Sequence, residues 1–260
     1  MADKLTFERV NFGYDQTPIV ENLSLDVKKG EFVSLVGPSG VGKSTLFQLA
    51  NGLLQPQTGQ ILLNGKVTCD RLGKVAYMPQ QDLLMPWRTV VENAALPLEI
   101  QGIPSKAARE QVLEQLPLFG LIEYADAYPR QLSGGMRQRV SLLRTTLTGA
   151  DLLLLDEPFS ALDGITRMEM QEWLLRLWSQ IGSTVVMITH DLEEAILLSD
   201  RVLVIKEKPI RTVTEIPVPT ERCVRGSSRH EASTLLLRER IWRELQSRTD
   251  ESSHRGGVAT

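Results

Sequence analysis

The sequence predicts an α/β protein: a mostly parallel sheet core, an N-terminal antiparallel β subdomain and an inserted α-helical subdomain. Three observations predict it. Short apolar runs bounded by turn residues recur along the chain (EFVSLVG, KVAYMPQ, DLLLLD, STVVMIT and RVLVIK), the pattern of strands buried on both faces. Between DLLLLD and STVVMIT the chain has room for the crossover helix that parallel neighbours require. Residues 88–145 instead read as helices, with Val112, Leu113, Leu116 and Leu118 in a segment bounded by Pro104 and Pro129.

Taken in order, the first thirty positions alternate apolar residues (Leu23, Leu25, Val27), and the later ILLNGK segment looks like a turn, which together predict the antiparallel flap. EFVSLVG, Glu31 to Gly37, is then a buried strand that runs directly into GPSGVGKS. That string matches the phosphate-binding pattern G-x-x-x-x-G-K-[ST] at Gly37, Gly42, Lys43 and Ser44, and Leu46, Leu49, Ala50 and Leu53 follow at helical spacing. Strand, glycine loop and helix start make a P-loop. Glycine is needed because backbone amides must wrap closely around phosphate oxygens, and a helix N-terminus adds about half a positive charge there. The loop Gly37, Pro38, Ser39, Gly40, Val41, Gly42, Lys43, Ser44 and Thr45 is the expected nucleotide cradle. Lys43 brings a full cation to the β- and γ-phosphates, and Ser44 offers a hydroxyl to Mg²⁺, a hard ion that prefers oxygen.

Farther on, DLLLLDEP, Asp151 to Pro158, ends an apolar strand in two carboxylates. In P-loop ATPases an Asp at a strand end holds Mg²⁺, which makes Asp156 the metal candidate. Glu157 then faces the γ-phosphate as the group that orients or deprotonates the attacking water. STVVMITH ends on the same predicted sheet edge, so Gly37, Asp156 and His190 are expected together, since open α/β sheets bind ligands at the carboxyl ends of their strands.

With LSGGMRQ at Leu132 to Gln138, some ninety residues beyond the P-loop, these strings resemble the nucleotide-binding subunit of an ATP-binding cassette (ABC) transporter, over roughly residues 3 to 215. The resemblance implies a RecA-like core, ATP and Mg²⁺ as cofactors, and further roles by position. Tyr14 matches the aromatic that stacks on adenine, against the plain alternative of a strand aromatic beside Phe12. Gln80, in YMPQQDLLMPW, matches the glutamine that reaches the metal and γ-phosphate, with Gln81 a weaker candidate. Ser133, Gly134, Gly135 and Gln138 match the signature motif, Ser133 also being a suitable helix N-cap. Asp163, in SALD, falls in the loop that communicates between subunits, and His190 matches the histidine at the γ-phosphate. Glu157, His190 and Lys43 are thus the expected catalytic residues, and Ser44, Gln80 and Asp156 the metal ligands.

The resemblance also implies a head-to-tail homodimer in which the signature of one subunit caps the ATP held by the other. Integral membrane permease subunits would be driven by that dimer, and a solute-binding protein would be an indirect partner. Leu83, Leu84, Met85 and Trp87 are the expected docking groove for the permease, the alternative being that they belong to the helical subdomain's own core. Among transporters, the Pro-Trp after the glutamine loop and the HDLEEA segment are similar to the ATPases of nitrate, sulfonate, taurine and pyrimidine-precursor importers. Leu143 and Thr145 depart from the family's usual small alanines in the helix after the signature.

Composition sets limits. At 260 residues, 42% hydrophobic and 23% charged, the chain can bury an ordinary core. A net charge of −3 argues against a broad nucleic-acid-binding face. Cys69 and Cys223 match no metal spacing, so a reduced compartment is expected. No apolar stretch approaches the roughly 18 residues of a membrane span, and the first ten residues lack a signal-peptide core. A cytoplasmic protein, peripheral on the inner face of the cell membrane, is the expectation. Residues 1–218 form the ATPase domain, with 88–145 as its helical subdomain; 219–260 form a short basic tail with Leu237, Ile241 and Leu245 on one helix face. That helix either clamps a partner, touches anionic lipid, or folds back on its own domain. A nucleotide kinase leaves Ser133 to Gln138 and His190 unexplained, and a soluble iron–sulfur assembly ATPase of the same class is the remaining alternative.

Overall fold

The computed structural model describes residues 2–219 and 232–246. Its chain forms two compact units, one of residues 1–70 and 186–260 and one of residues 71–185. The basic stretch before the last helix, with Cys223, and the final ten residues lie outside the described residues.

The first unit opens with strands β1 (Asp3–Tyr14) and β2 (Thr17–Lys28), paired antiparallel. β3 (Phe32–Val36) is buried at every position and runs into the glycine loop and helix α1 (Lys43–Asn51). The helix stops at Asn51, short of the Leu53 that closes the apolar spacing, because Gly52 adopts a left-handed C-cap (φ 89°). Leu53 is therefore outside the helix and exposed. β4 (Thr58–Leu63) pairs antiparallel with β1 and, through the Asn64-Gly65 turn, with β5 (Lys66–Val67), which completes the expected flap in the order β2-β1-β4-β5.

The second unit begins with β6 (Ala76–Met78) and continues into helices α2 (Val90–Ile100) and α3 (Ser105–Phe119), two short 3₁₀ turns and α4 (Gly134–Thr146). Thr89 opens α2 with a capping box closed by Glu92. Val112 and Leu116 of α3 are fully buried while Leu113 is exposed, so the apolar spacing read from the sequence marks one inward stripe. β7 (Leu152–Asp156) pairs parallel with β6 in the register Met78 to Leu155, and α5 (Gly164–Ile181) follows.

The division between the units falls within β8 (Thr184–Ile188). The chain then returns to the first unit through α6 (Leu192–Leu198), β9 (Arg201–Val204), β10 (Thr214–Pro217) and α7 (Ala232–Gln246). β9 lies parallel to β3 and antiparallel to β10. α7 folds back on its own unit: Ile241 is fully buried with Val36, Ala195, Ile196, Val202, Val204, Ile216 and Val218, and Leu237 and Leu245 flank it. The three residues expected on one face do share it.

Candidate functional site

In the first unit the glycine loop is shaped by close backbone approach. A Cβ on Gly37 would lie 2.7 Å from the Ile205 carbonyl oxygen, and one on Gly42, whose φ is +117°, would lie 2.7 Å from Ile19 Cγ2. No other residue type fits those two positions without displacing its neighbour. The Lys43 ammonium is drawn over the loop, donating to the carbonyls of Gly37 (2.8 Å) and Pro38 (3.0 Å), so a cation and the first amides of α1 share one small space. Ser44 is exposed beside it and Thr45 is buried. Tyr14 is half exposed at the end of β1, edge-on to Phe12 at 5.1 Å, and its hydroxyl donates to Gln48 of α1 (3.3 Å). The ring is thus a surface platform rather than core.

His190 follows β8. The Thr189 amide donates to the Leu35 carbonyl (3.3 Å), which registers the histidine against the strand that feeds the glycine loop. The imidazole is exposed.

The second unit assembles the remaining candidates. β6 and β7 are parallel neighbours, so the residues just past their carboxyl ends meet: Gln80 Nε2 donates to Glu157 Oε2 (2.9 Å) and lies 3.5 Å from Ser160 Oγ. Glu157 occupies the left-handed backbone region at φ +46°, a conformation that disfavours side chains by about 1–2 kcal/mol. Strain of this kind clusters at functional sites. Asp156, 8% exposed, accepts a hydrogen bond from the Tyr77 hydroxyl (3.1 Å). Burial, then the Asp156 charge and hydrogen bond, hold the Tyr77 phenol well above its usual range, so it remains a donor to that carboxylate. Tyr77 escaped the sequence reading. Its only signal was an aromatic one residue before the end of a strand adjoining the DEP strand.

Ser133 caps α4, its Oγ accepting from the Met136 amide (3.2 Å). Gly134 and Gly135 let α4 sit against the start of α5, since Cβ atoms there would lie 3.2 Å from Leu162 and 2.9 Å from Thr166. Asp163 caps α5 by accepting from the amides of Ile165 and Thr166. Gln138 differs from the other signature candidates: its side chain is 5% exposed and, among the described residues, its Oε1 has no hydrogen-bond partner. The two departures in α4 fit their places, Leu143 fully buried and the Thr145 hydroxyl donating to the Ser141 carbonyl (2.8 Å).

The segment after Gln80 is held by two arginines of α4 and one asparagine of α2. Arg144 donates to the carbonyls of Asp82 (2.6 Å) and Leu83 (2.9 Å), and Arg137 Nε to the Asp82 carboxylate (3.2 Å). Asn93 donates to the carbonyls of Met85, Arg88 and Thr89. Leu83, at φ +45°, and Trp87 are turned outward, 58% and 71% exposed, while Leu84 and Met85 are half-buried.

Residues 20–160 match the family described as ABC transporter. The chain belongs to that family. Among its ABC relatives is the formylaminopyrimidine import ATP-binding protein ThiZ of Halalkalibacterium halodurans, 47% identical over 222 residues, which span 85% of this chain and 87% of that one. The nitrate import ATP-binding protein NrtC of Synechococcus elongatus is 42% identical over 81% of this chain and 33% of its own length. Of solved structures, the dimeric post-hydrolysis state of the ATP-binding cassette MJ0796 bound to ADP and Pi superposes with TM-score 0.69 at 30% identity, covering 84% of this chain and all of that one. The structure of cbiO1 from Clostridium perfringens, described as part of the ABC transporter complex cbiONQ, shares the fold at TM-score 0.76 and 24% identity over 98% of both chains.

The oxygen donors present fit Mg²⁺. In the second unit the buried, hydrogen-bonded Asp156 carboxylate and the Gln80 amide oxygen, and in the first unit the exposed Ser44 hydroxyl, are each hard oxygen donors of the kind this ion prefers.

Proposed function

We propose that this chain is the ATP-hydrolysing subunit of an ABC importer, pairing head to tail with a second copy around two ATP molecules to power a separate membrane permease. The observation that carries the proposal is the strained Glu157, fixed beside a buried Asp156 and held by Gln80. Asp156 is engaged by the Tyr77 hydroxyl, and Glu157 is the carboxylate assigned to the water. In this reading Lys43 and the amides of the loop bind the phosphate chain, Tyr14 takes the adenine, and Glu157 orients the attacking water or accepts its proton. His190 contacts the γ-phosphate. When bound, Mg²⁺ at Ser44, Asp156 and Gln80 neutralises charge on the phosphate oxygens.

Ser133 and the two glycines of one subunit face the ATP of the other, which makes nucleotide the ligand of the closed dimer. Its hydrolysis removes contacts made only in that state, and the halves separate. The outward Leu83 and Trp87 receive the permease, and docking there keeps the protein on the cytoplasmic face of the membrane. Among the described residues no helix is long and apolar enough to cross a bilayer by itself. An importer is preferred to an iron–sulfur assembly ATPase because relatives at 47% and 42% identity are import ATP-binding proteins.

Glu157→Gln tests the assignment. It is expected to bind ATP with wild-type affinity, to accumulate as a dimer in size-exclusion chromatography with ATP, and to turn over less than about 1% as fast as the parent, the loss expected of a general base. Brisk hydrolysis by that variant overturns the base assignment.

A further inference from the structure

We propose that Glu194 is a positioning residue for His190, acting through the hydroxyl of Thr189; this rests on the reading of His190 as the γ-phosphate contact. Glu194 is 4% exposed, a buried carboxylate on α6 with no part in the chemistry described so far. The Thr189 hydroxyl donates to Glu194 Oε2 at 2.6 Å, and Thr189 Oγ1 itself accepts from the Asp191 amide at 3.0 Å. A hydroxyl has one proton, so accepting from Asp191 commits that proton to Glu194, and the two bonds polarise each other.

Around them the chain closes a ring. Asp191 Oδ1 accepts the amides of Glu193 (2.8 Å) and Glu194 (3.2 Å), tying the side chain that follows His190 forward into α6. The Thr189 amide is tied back to the Leu35 carbonyl. His190 is thus flanked on each side by a residue whose backbone and side chain are both engaged, while its own imidazole is exposed. The ring fixes the Cα–Cβ direction of one residue, and that residue is the histidine. Its neighbour Glu193 faces elsewhere, taking an ion pair from Arg238 of α7 at 3.1 Å.

The test uses the purified full chain. Glu194→Ala and Thr189→Val, the latter keeping shape but not the hydroxyl, are each expected to lower kcat for ATP about 10- to 100-fold with KM for ATP within about twofold, the pattern of a catalytic group displaced by an ångström or less. Thr189→Ser and Glu194→Gln, which keep the donor and an acceptor oxygen, restore most of the rate; Glu193→Ala leaves it unchanged. In the His190→Ala background, Glu194→Ala is expected to add no further loss. The His190 imidazole signal in a ¹H–¹³C correlation spectrum, assigned by its disappearance in His190→Ala, is expected to shift in Glu194→Ala and Thr189→Val.

The proposal is overturned if Glu194→Ala and Thr189→Val turn over at the parental rate while His190→Ala is inactive, if the losses multiply, or if the imidazole signal stays in place. Should His190→Ala itself keep parental turnover, the His190 assignment fails, and the imidazole signal alone decides whether Glu194 holds it. Were Glu194→Ala unable to fold, Thr189→Val carries the same readouts.

Discussion

Replacing Glu157 by glycine and by alanine is expected to invert their usual order of stability. At an ordinary position glycine is less stable than alanine by about 0.5–1 kcal/mol, because it loses more backbone freedom on folding. At φ +46° the alanine variant retains the left-handed strain of about 1–2 kcal/mol, which glycine escapes. Both variants lose the Gln80 hydrogen bond, so that contribution cancels. The difference leaves glycine ahead by up to about 1.5 kcal/mol, or up to about 6 °C in Tm for a chain of this size. Thermal unfolding without nucleotide reads the order, and ATP turnover reads the function, which both variants lose. An alanine variant that melts above the glycine variant refutes the claim that Glu157 is held under strain.

Trp87→Ala is expected to leave the ATPase rate of the isolated chain within about twofold while reducing solute uptake by cells carrying the whole transporter more than about tenfold, the signature of a lost interface anchor; unchanged uptake removes the docking assignment. Asp163→Asn keeps a cap for α5 but cannot ionise. Hydrogen bonds from the Thr166 side chain and then its backbone hold the Asp163 carboxyl below its usual range, so its contribution is present above about pH 4 and is lost as pH falls through the lowered pKa. Melting temperatures of parent and variant are expected to differ at neutral pH and to converge in acid; a constant gap down to pH of about 3 contradicts this.

Most of the fold and the outline of the site were legible because both rest on local pattern. Apolar runs bounded by turns mark buried strands, and the P-loop carries its own geometry in three glycines and a lysine. The DEP strand and YMPQ revealed Glu157 and Gln80 as residues past the ends of strands, and their contact follows from the parallel pairing of β6 and β7. What stayed hidden depends on backbone conformation or on distant partners. Nothing in DEPFS announces that Glu157 is left-handed. The extension of α1 to Leu53 failed because periodicity counts side chains and overlooks the glycine that ends the helix. Tyr77 and Arg144 each act on a residue far away in sequence, and Glu194 acts on a hydroxyl across the turn that opens α6. Buried charges serving backbone carbonyls or a hydroxyl leave no periodic trace. Partial burial lowers the pKa of the Arg144 guanidinium, with the Asp82 charge opposing.

Ile241 of α7 closes over Val36, the last residue before the glycine loop. A nascent chain emerges from the ribosome in order, so the strand that delivers the nucleotide-binding loop stays partly uncovered until more than two hundred further residues have been made. Shielding of the strand before the glycine loop therefore waits on the synthesis of α7, and a product terminated ahead of this helix would present a bare apolar edge to quality-control proteases.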